Sequence, residues 1–232
     1  MLRRFIFCIF AAFGLLLFFF PKLDILFTNY FYRSDVDFIY QNHPLVVGCF
    51  RLVPIITTVF GVFCLVYIVY SFFYKKTQDR SGKIAIYLLI AAILGPGLLV
   101  NFALKNHVGR ARPKQVLEFG GNKAFIGPLR LSDECELNCS FSSGHAAMGY
   151  YFSSLSYVTP PQYQAVTFLF GIVLGSVIGF GRVLQGGHFL SDVVFSGIFI
   201  MLTNHICFII WRKIFKNPKK PTGRKVTSRK KR

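Results

Sequence analysis

A chain of 232 residues that is 53% hydrophobic and 17% aromatic, with only nine acidic residues, is too apolar for an ordinary soluble domain. Its formal net charge of +18 would suit nucleic acid, but the cations are segregated along the chain in a pattern that membrane topology and attraction to anionic lipid already explain. These numbers point to one polytopic membrane protein, with an anionic membrane lipid rather than nucleic acid as the partner.

Hydrophobic runs predict six spans in chain order: about Phe5 to Phe20, Leu52 to Phe73, Ile84 to Leu104, Ala146 to Val158, Ala165 to Gly181 and Phe189 to Trp211. Most reach or approach the roughly 20 residues that cross a ~30 Å hydrocarbon layer; the first and fourth are short. The first follows Leu2-Arg3-Arg4, as a secretory signal would, yet it runs into Phe18-Phe19-Phe20-Pro21-Lys22 with no small-residue cleavage site, so an uncleaved anchor is expected. The expected fold is all-α: six transmembrane helices forming a helical core in residues 1–212, a long outward loop between the third and fourth, and a basic, disordered cytoplasmic tail over 213–232.

Arg3 and Arg4, the cluster Lys75, Lys76, Arg80 and Lys83, and the tail from Arg212 to Arg232 fall on one side of a six-span chain. The positive-inside rule puts that side, and both termini, in the cytoplasm. The segment from Lys105 to His145 then faces outward and breaks the rule, setting Lys105, Arg110, Arg112, Lys114, Lys123 and Arg130 against Glu118, Asp133, Glu134 and Glu136. Within it, Cys135 and Cys139 form a disulfide in an oxidising compartment or remain free thiols; spacing alone leaves both open.

Three polar patches share the outer interface because odd-numbered spans run outward and even-numbered ones inward. Lys105 to Pro113 (KNHVGRARP) follows the third span, Ser142 to His145 (SSGH) precedes the fourth, and Arg182, His188 and Asp192 lie where the fifth ends and the sixth begins. Each alone has a plain explanation, since cations snorkel to headgroups and serine caps helices. Their coincidence does not, and an ionisable residue such as Asp192 near the start of a span is a functional candidate.

His188 and Asp192 are four residues apart, which on a helix puts them on one face. Asp192 can then accept from one ring nitrogen and leave the other free as base or nucleophile. Lys105, Arg112 and Arg182 match the charge of a phosphate group in transfer. Ser143 and the Gly144 amide, at a helix N-terminus, add donors, and His145 remains to protonate the leaving oxygen. Gly186-Gly187 suits either close approach of a ligand or a simple turn. The set describes phosphoryl transfer through a phosphohistidine. Two-metal phosphatases need several carboxylates; these patches hold one, Asp192, so no metal or other cofactor is expected.

The order and spacing Lys105-(six residues)-Arg112-Pro113, Ser143-Gly144-His145, Arg182-(five residues)-His188-(three residues)-Asp192 resemble the signature of the type 2 phosphatidic acid phosphatase superfamily. The resemblance implies a metal-independent membrane phosphatase with His188 as nucleophile, Asp192 as its orienting partner, His145 as general acid, and Lys105, Arg112, Ser143, Gly144 and Arg182 holding phosphate. Ser142 stands where the family commonly has proline, and Gly181 where it commonly has serine. FPKLDILFTNYFY, LGPGLLVNFALKNHVGRARP and QGGHFLSDVVFSGIF look like bacterial inner-membrane lipid A phosphatases of the 4'-position. That implies a periplasmic active site and a product that binds cationic peptides less well. Phosphatases of undecaprenyl diphosphate or phosphatidylglycerol phosphate, and a non-catalytic anionic-lipid binder or transporter, are the alternatives.

Overall fold

The computed structural model describes residues 1–74 and 80–215; Lys75, Lys76 and the tail from 216 onward lie outside them. Among the described residues, five helices are long and apolar enough to cross a membrane: Leu2–Phe19, Pro44–Tyr74, Arg80–His107, Pro161–Leu184 and Leu190–Phe215. The fold is all-α apart from one small hairpin.

The first crossing helix, α1 (Leu2–Phe19), stops at Phe20-Pro21, and Pro21 caps a short helix, α2 (Lys22–Asn29). Asp24 and Thr28, four residues apart, put two polar side chains on one face of α2, and both are fully buried. A two-stranded hairpin follows, β1 (Tyr32–Arg33) against β2 (Asp37–Phe38), with Tyr32 opposite Phe38. α3 (Pro44–Tyr74) begins well before the expected Leu52 and buries only Val53, Cys64 and Ser71, as suits a helix facing lipid along most of its length.

α4 (Arg80–Ala92) widens into a π-helix over Ile93–Leu104 and closes with the short α5 (Lys105–His107). Pro96 lies in the widened stretch, where a residue without an N–H cannot continue the α-helical ladder. The Asn101 side chain donates to the Pro96 carbonyl at 2.8 Å.

The expected fourth span takes a different form. It is α6 (Gly144–Tyr151) followed by a 3-10 stretch over Phe152–Tyr157, together about 24 Å long. Its partner is α7 (Gln164–Leu184), in which Gly171, Gly175 and Gly179 form a stripe at four-residue spacing. A Cβ on Gly171 would lie 2.1 Å from the Ser153 nitrogen, one on Gly175 2.3 Å from the Tyr150 ring, and one on Gly179 2.3 Å from Val193. Backbones thus approach closely, as small residues allow between helices in lipid. α8 (Leu190–Phe215) is the most enclosed crossing helix and packs on α1, α6 and α7.

Helix ends sort to two poles. At one, Arg3 donates to the Ser156 carbonyl and to Gln164, with its guanidinium 4.2 Å from the Tyr157 ring centre, and Trp211 donates to the Lys83 carbonyl. At the other, Phe18 and Leu104 pack around Val108, Phe141 and Phe195, and the Ser143 N–H donates to the Asp192 carbonyl. The short α6 segment therefore connects the same two poles as its longer neighbours.

Replacing Gly175 by leucine is expected to lower stability by about 1–3 kcal/mol or more through overpacking against Tyr150. Thermal unfolding in detergent micelles should show a reduced midpoint, while Gly61→Leu, at an open position of α3, should not. Equal midpoints would contradict the close α6–α7 contact.

Candidate active site

The site is built upward from a buried polar floor. Asp192 lies in the first turn of α8, where a carboxylate meets the positive end of the helix dipole. Its Oδ2 accepts from the Phe189 N–H at 2.8 Å and the Ser140 hydroxyl at 2.6 Å, and its Oδ1 accepts from Arg110 at 2.5 Å. Arg110 is wholly buried and also reaches Asp24 of α2 at 2.9 Å, Ser191 at 2.8 Å and the Ile126 carbonyl at 2.7 Å. Its guanidinium packs 4.4 Å from the Phe189 ring centre.

Burial works against the Arg110 charge, but the two carboxylates outweigh it and hold the guanidinium above its usual value. Asp24 is raised, because burial there exceeds the help from Arg110. Neither Asp24 nor Arg110 was among the expected site residues. Arg110 reads in sequence as one more loop cation, and Asp24 as a polar residue in an amphipathic turn.

His188 sits above this floor with 1% of its surface exposed. α8 begins at Leu190, so the histidine belongs to the turn before it rather than to a shared helical face, which corrects the expected geometry. Its Nδ1 lies 3.6 Å from Asp192 Oδ2, just beyond hydrogen-bond range, and has no other partner among the described residues. Burial pushes the imidazole down to about 3; Asp192 opposes the shift, while Lys105 and Arg182 add to it. The ring is therefore neutral at ordinary pH.

The two glycines before His188 make room for protein rather than ligand. Gly186, at φ +62°, leaves space filled by the Phe38 ring, and a Cβ on Gly187 would lie 2.4 Å from the Arg182 guanidinium. Arg182 lies in the last turn of α7, donates to Gln185, and has a buried Nε without a hydrogen-bond partner among the described residues.

On the opposite wall, Ser143 caps α6 by accepting from the Ala146 N–H, and Gly144 abuts Asn101, where any Cβ would lie 2.3 Å from the amide oxygen. His145 follows, its Nε2 buried and without a hydrogen-bond partner among the described residues. Its ring stacks on Phe50 of α3 with centres 4.6 Å apart, and the Arg182 guanidinium lies 4.5 Å from the same Phe50 ring. Phe50 thus contacts two expected site residues. As one of 28 phenylalanines it carries no distinguishing signal in the sequence.

Lys105 and Arg112 complete the rim. Both donate to Asn138, Lys105 to its side-chain oxygen at 3.0 Å and Arg112 to its backbone oxygen at 2.6 Å. Cys135 and Cys139 are joined as a disulfide with Cα atoms 5.6 Å apart, so of the two open states the structure contains the bonded one. All eight expected site residues lie at one pole: Lys105 with Arg112 through Asn138, His145 with Arg182 through Phe50, Ser143 and Gly144 beside Asp192, and Asp192 beneath His188.

A buried imidazole with its ionisation depressed to about 3, against about 6.5 for the free group, stays neutral throughout the range from about pH 5 to 7.5. Nitrogen-15 NMR of histidine-labelled protein in micelles should show His188 shifts that do not titrate across that range. A midpoint near 6.5 would contradict the described environment.

The PAP2 superfamily model matches residues 83–217, which contain every expected site residue. A lipid A 4'-phosphatase of Francisella tularensis subsp. novicida is 34% identical over 212 residues, covering 89% of this chain and 93% of the relative. One from Rhizobium etli is 32% identical over 197 residues, covering 75% of this chain and 73% of its own. No solved structure matches the chain. Over more than half its length, and with the signature residues gathered at one pole of a helical bundle, this chain belongs to the PAP2 superfamily.

Proposed function

We propose that this multi-pass bacterial membrane protein is a lipid phosphatase that hydrolyses a phosphate monoester of lipid A, at the 4'-position, through a phosphohistidine and without a metal ion. The observation that carries the reading is the buried His188, 3.6 Å from Asp192 and at the same pole as Lys105, Arg112 and Arg182. The names of the relatives, all lipid A 4'-phosphatases, support the substrate.

The free Nε2 of His188 attacks phosphorus as the bond to the sugar oxygen breaks, and His145 gives that oxygen its proton. Asp192, near Nδ1, stabilises the positive charge the ring acquires. Water then attacks the phosphohistidine, with His145 taking a proton, and inorganic phosphate leaves. The cations, with Ser143 and the Gly144 amide, hold the equatorial oxygens in both steps. Asp192 and Asp24 both spend their charge on Arg110, which favours a role in orienting protein groups over ligating metal.

In this reading residues 1–212 form one catalytic domain with the site on the periplasmic face and both termini in the cytoplasm. The positive charge of Arg3, Arg4 and Arg212 at the opposite pole supports that orientation. The product carries less negative charge, which weakens binding of cationic antimicrobial peptides.

Mass spectrometry of lipid extracts tests the reading. Cells making the protein should show lipid A lacking one phosphate, and cells making His188→Ala should not, with both proteins equally inserted. Purified protein should keep its activity in EDTA. Unchanged lipid A with altered polyprenyl phosphates would assign a different substrate. Binding of phospholipid headgroups without phosphate release from any lipid would make the protein a binder, and magnesium-dependent recovery after EDTA would overturn metal independence.

A further inference from the structure

The stretch DECELNCS binds no substrate group in the reading above, yet its residues hold two of the three cations read as phosphate ligands, Lys105 and Arg112. The Asn138 side-chain oxygen accepts from Lys105 Nζ at 3.0 Å and from Arg112 at 3.0 Å, and its backbone oxygen accepts from the same Arg112 nitrogen at 2.6 Å. Two like charges that share an acceptor stay together; without one they repel and turn toward solvent. Lys105 is only 7% exposed, so loss of its acceptor would also leave a buried ammonium short of a partner.

The stretch is itself fixed. Asn138 has φ +52°, a conformation that asparagine tolerates better than most residues. The Cys135–Cys139 disulfide closes a five-residue ring around it. The Cys139 N–H donates to the Lys105 carbonyl at 3.1 Å and the Ser140 N–H to the Arg110 carbonyl at 2.8 Å, which fastens the ring to the segment carrying the cations. The choice of an amide also has a reason. Asp133, Glu134 and Glu136 precede it, but a carboxylate at 138 would neutralise the charge that phosphate needs, whereas a neutral carbonyl holds the cations without cancelling them.

We propose that Asn138 is a positioning residue whose two carbonyl oxygens hold the Lys105 ammonium and the Arg112 guanidinium side by side for phosphate, and that the Cys135–Cys139 ring holds Asn138 in place. The proposal rests on the reading of Lys105 and Arg112 as phosphate ligands.

Direct titration with inorganic phosphate tests it by calorimetry on the full chain in micelles, without reference to turnover. Asn138→Gly keeps the positive φ and removes the side chain; its phosphate affinity should fall about 10-fold. Asn138→Asp is isosteric and places an anion between the cations; its affinity should fall by about 100-fold or more. Cys135→Ser with Cys139→Ser should weaken binding in the same direction, and adding them to Asn138→Gly should cost little more, because one unit is already broken. With lipid A as substrate, Asn138→Gly should raise KM more than it lowers kcat. Unchanged or tighter phosphate binding by both Asn138 variants, or full additivity of the cysteine and Asn138→Gly effects, would overturn the proposal. Wild-type protein that binds phosphate but releases none from lipid A would instead overturn the substrate reading and leave the role of Asn138 intact.

Discussion

One guanidinium between two buried carboxylates organises this site. Arg110 reaches Asp192 at 2.5 Å and Asp24 at 2.9 Å, and all three side chains are sealed from solvent. Burying such charges is costly, and the cost is offset only when each finds its partner in good geometry. The requirement ties together elements with no other reason to meet: a short helix after the first span, the loop after the third and the start of α8. Ser140, the Phe189 N–H and Arg110 fix Asp192 and leave one oxygen toward His188, while Ser191 donates to Asp24.

Polarity is layered above that floor. The carboxylates lie deepest, the neutral imidazole sits over them, and the cations line the rim. In the proposed mechanism a phosphate group would meet positive charge first and the His188 imidazole next, with Asp192 behind to stabilise an imidazolium. Phe50 couples the site to α3 by stacking on His145 and lying 4.5 Å from the Arg182 guanidinium, so a helix with few buried residues reaches both.

Much of this was legible in the sequence. Span parity alone put Lys105, His145 and His188 at one pole, because costly polar groups at span ends cannot hide in hydrocarbon. What escaped depends on distance along the chain or on shape. Asp24 and Arg110 are 86 residues apart, and nothing local marks them as partners. Gly186 and Gly187 fit either a ligand's approach or a turn in the sequence; in the structure they form a turn that accommodates Phe38 and Arg182. Hydropathy over the expected fourth span does not register the α7 glycine stripe, against which a mixed α and 3-10 segment packs closely. The four-residue spacing of His188 and Asp192 suggested a helix face, whereas the helix starts between them.

A double-mutant cycle in thermal unfolding, using Asp24→Asn, Arg110→Met and the two combined, tests most directly whether buried charges act as one unit. The three-charge account predicts strong non-additivity: losing Arg110 alone strands two carboxylates, and neutralising Asp24 relieves part of that, giving a coupling above about 1 kcal/mol. Additive effects within about 0.5 kcal/mol would contradict it.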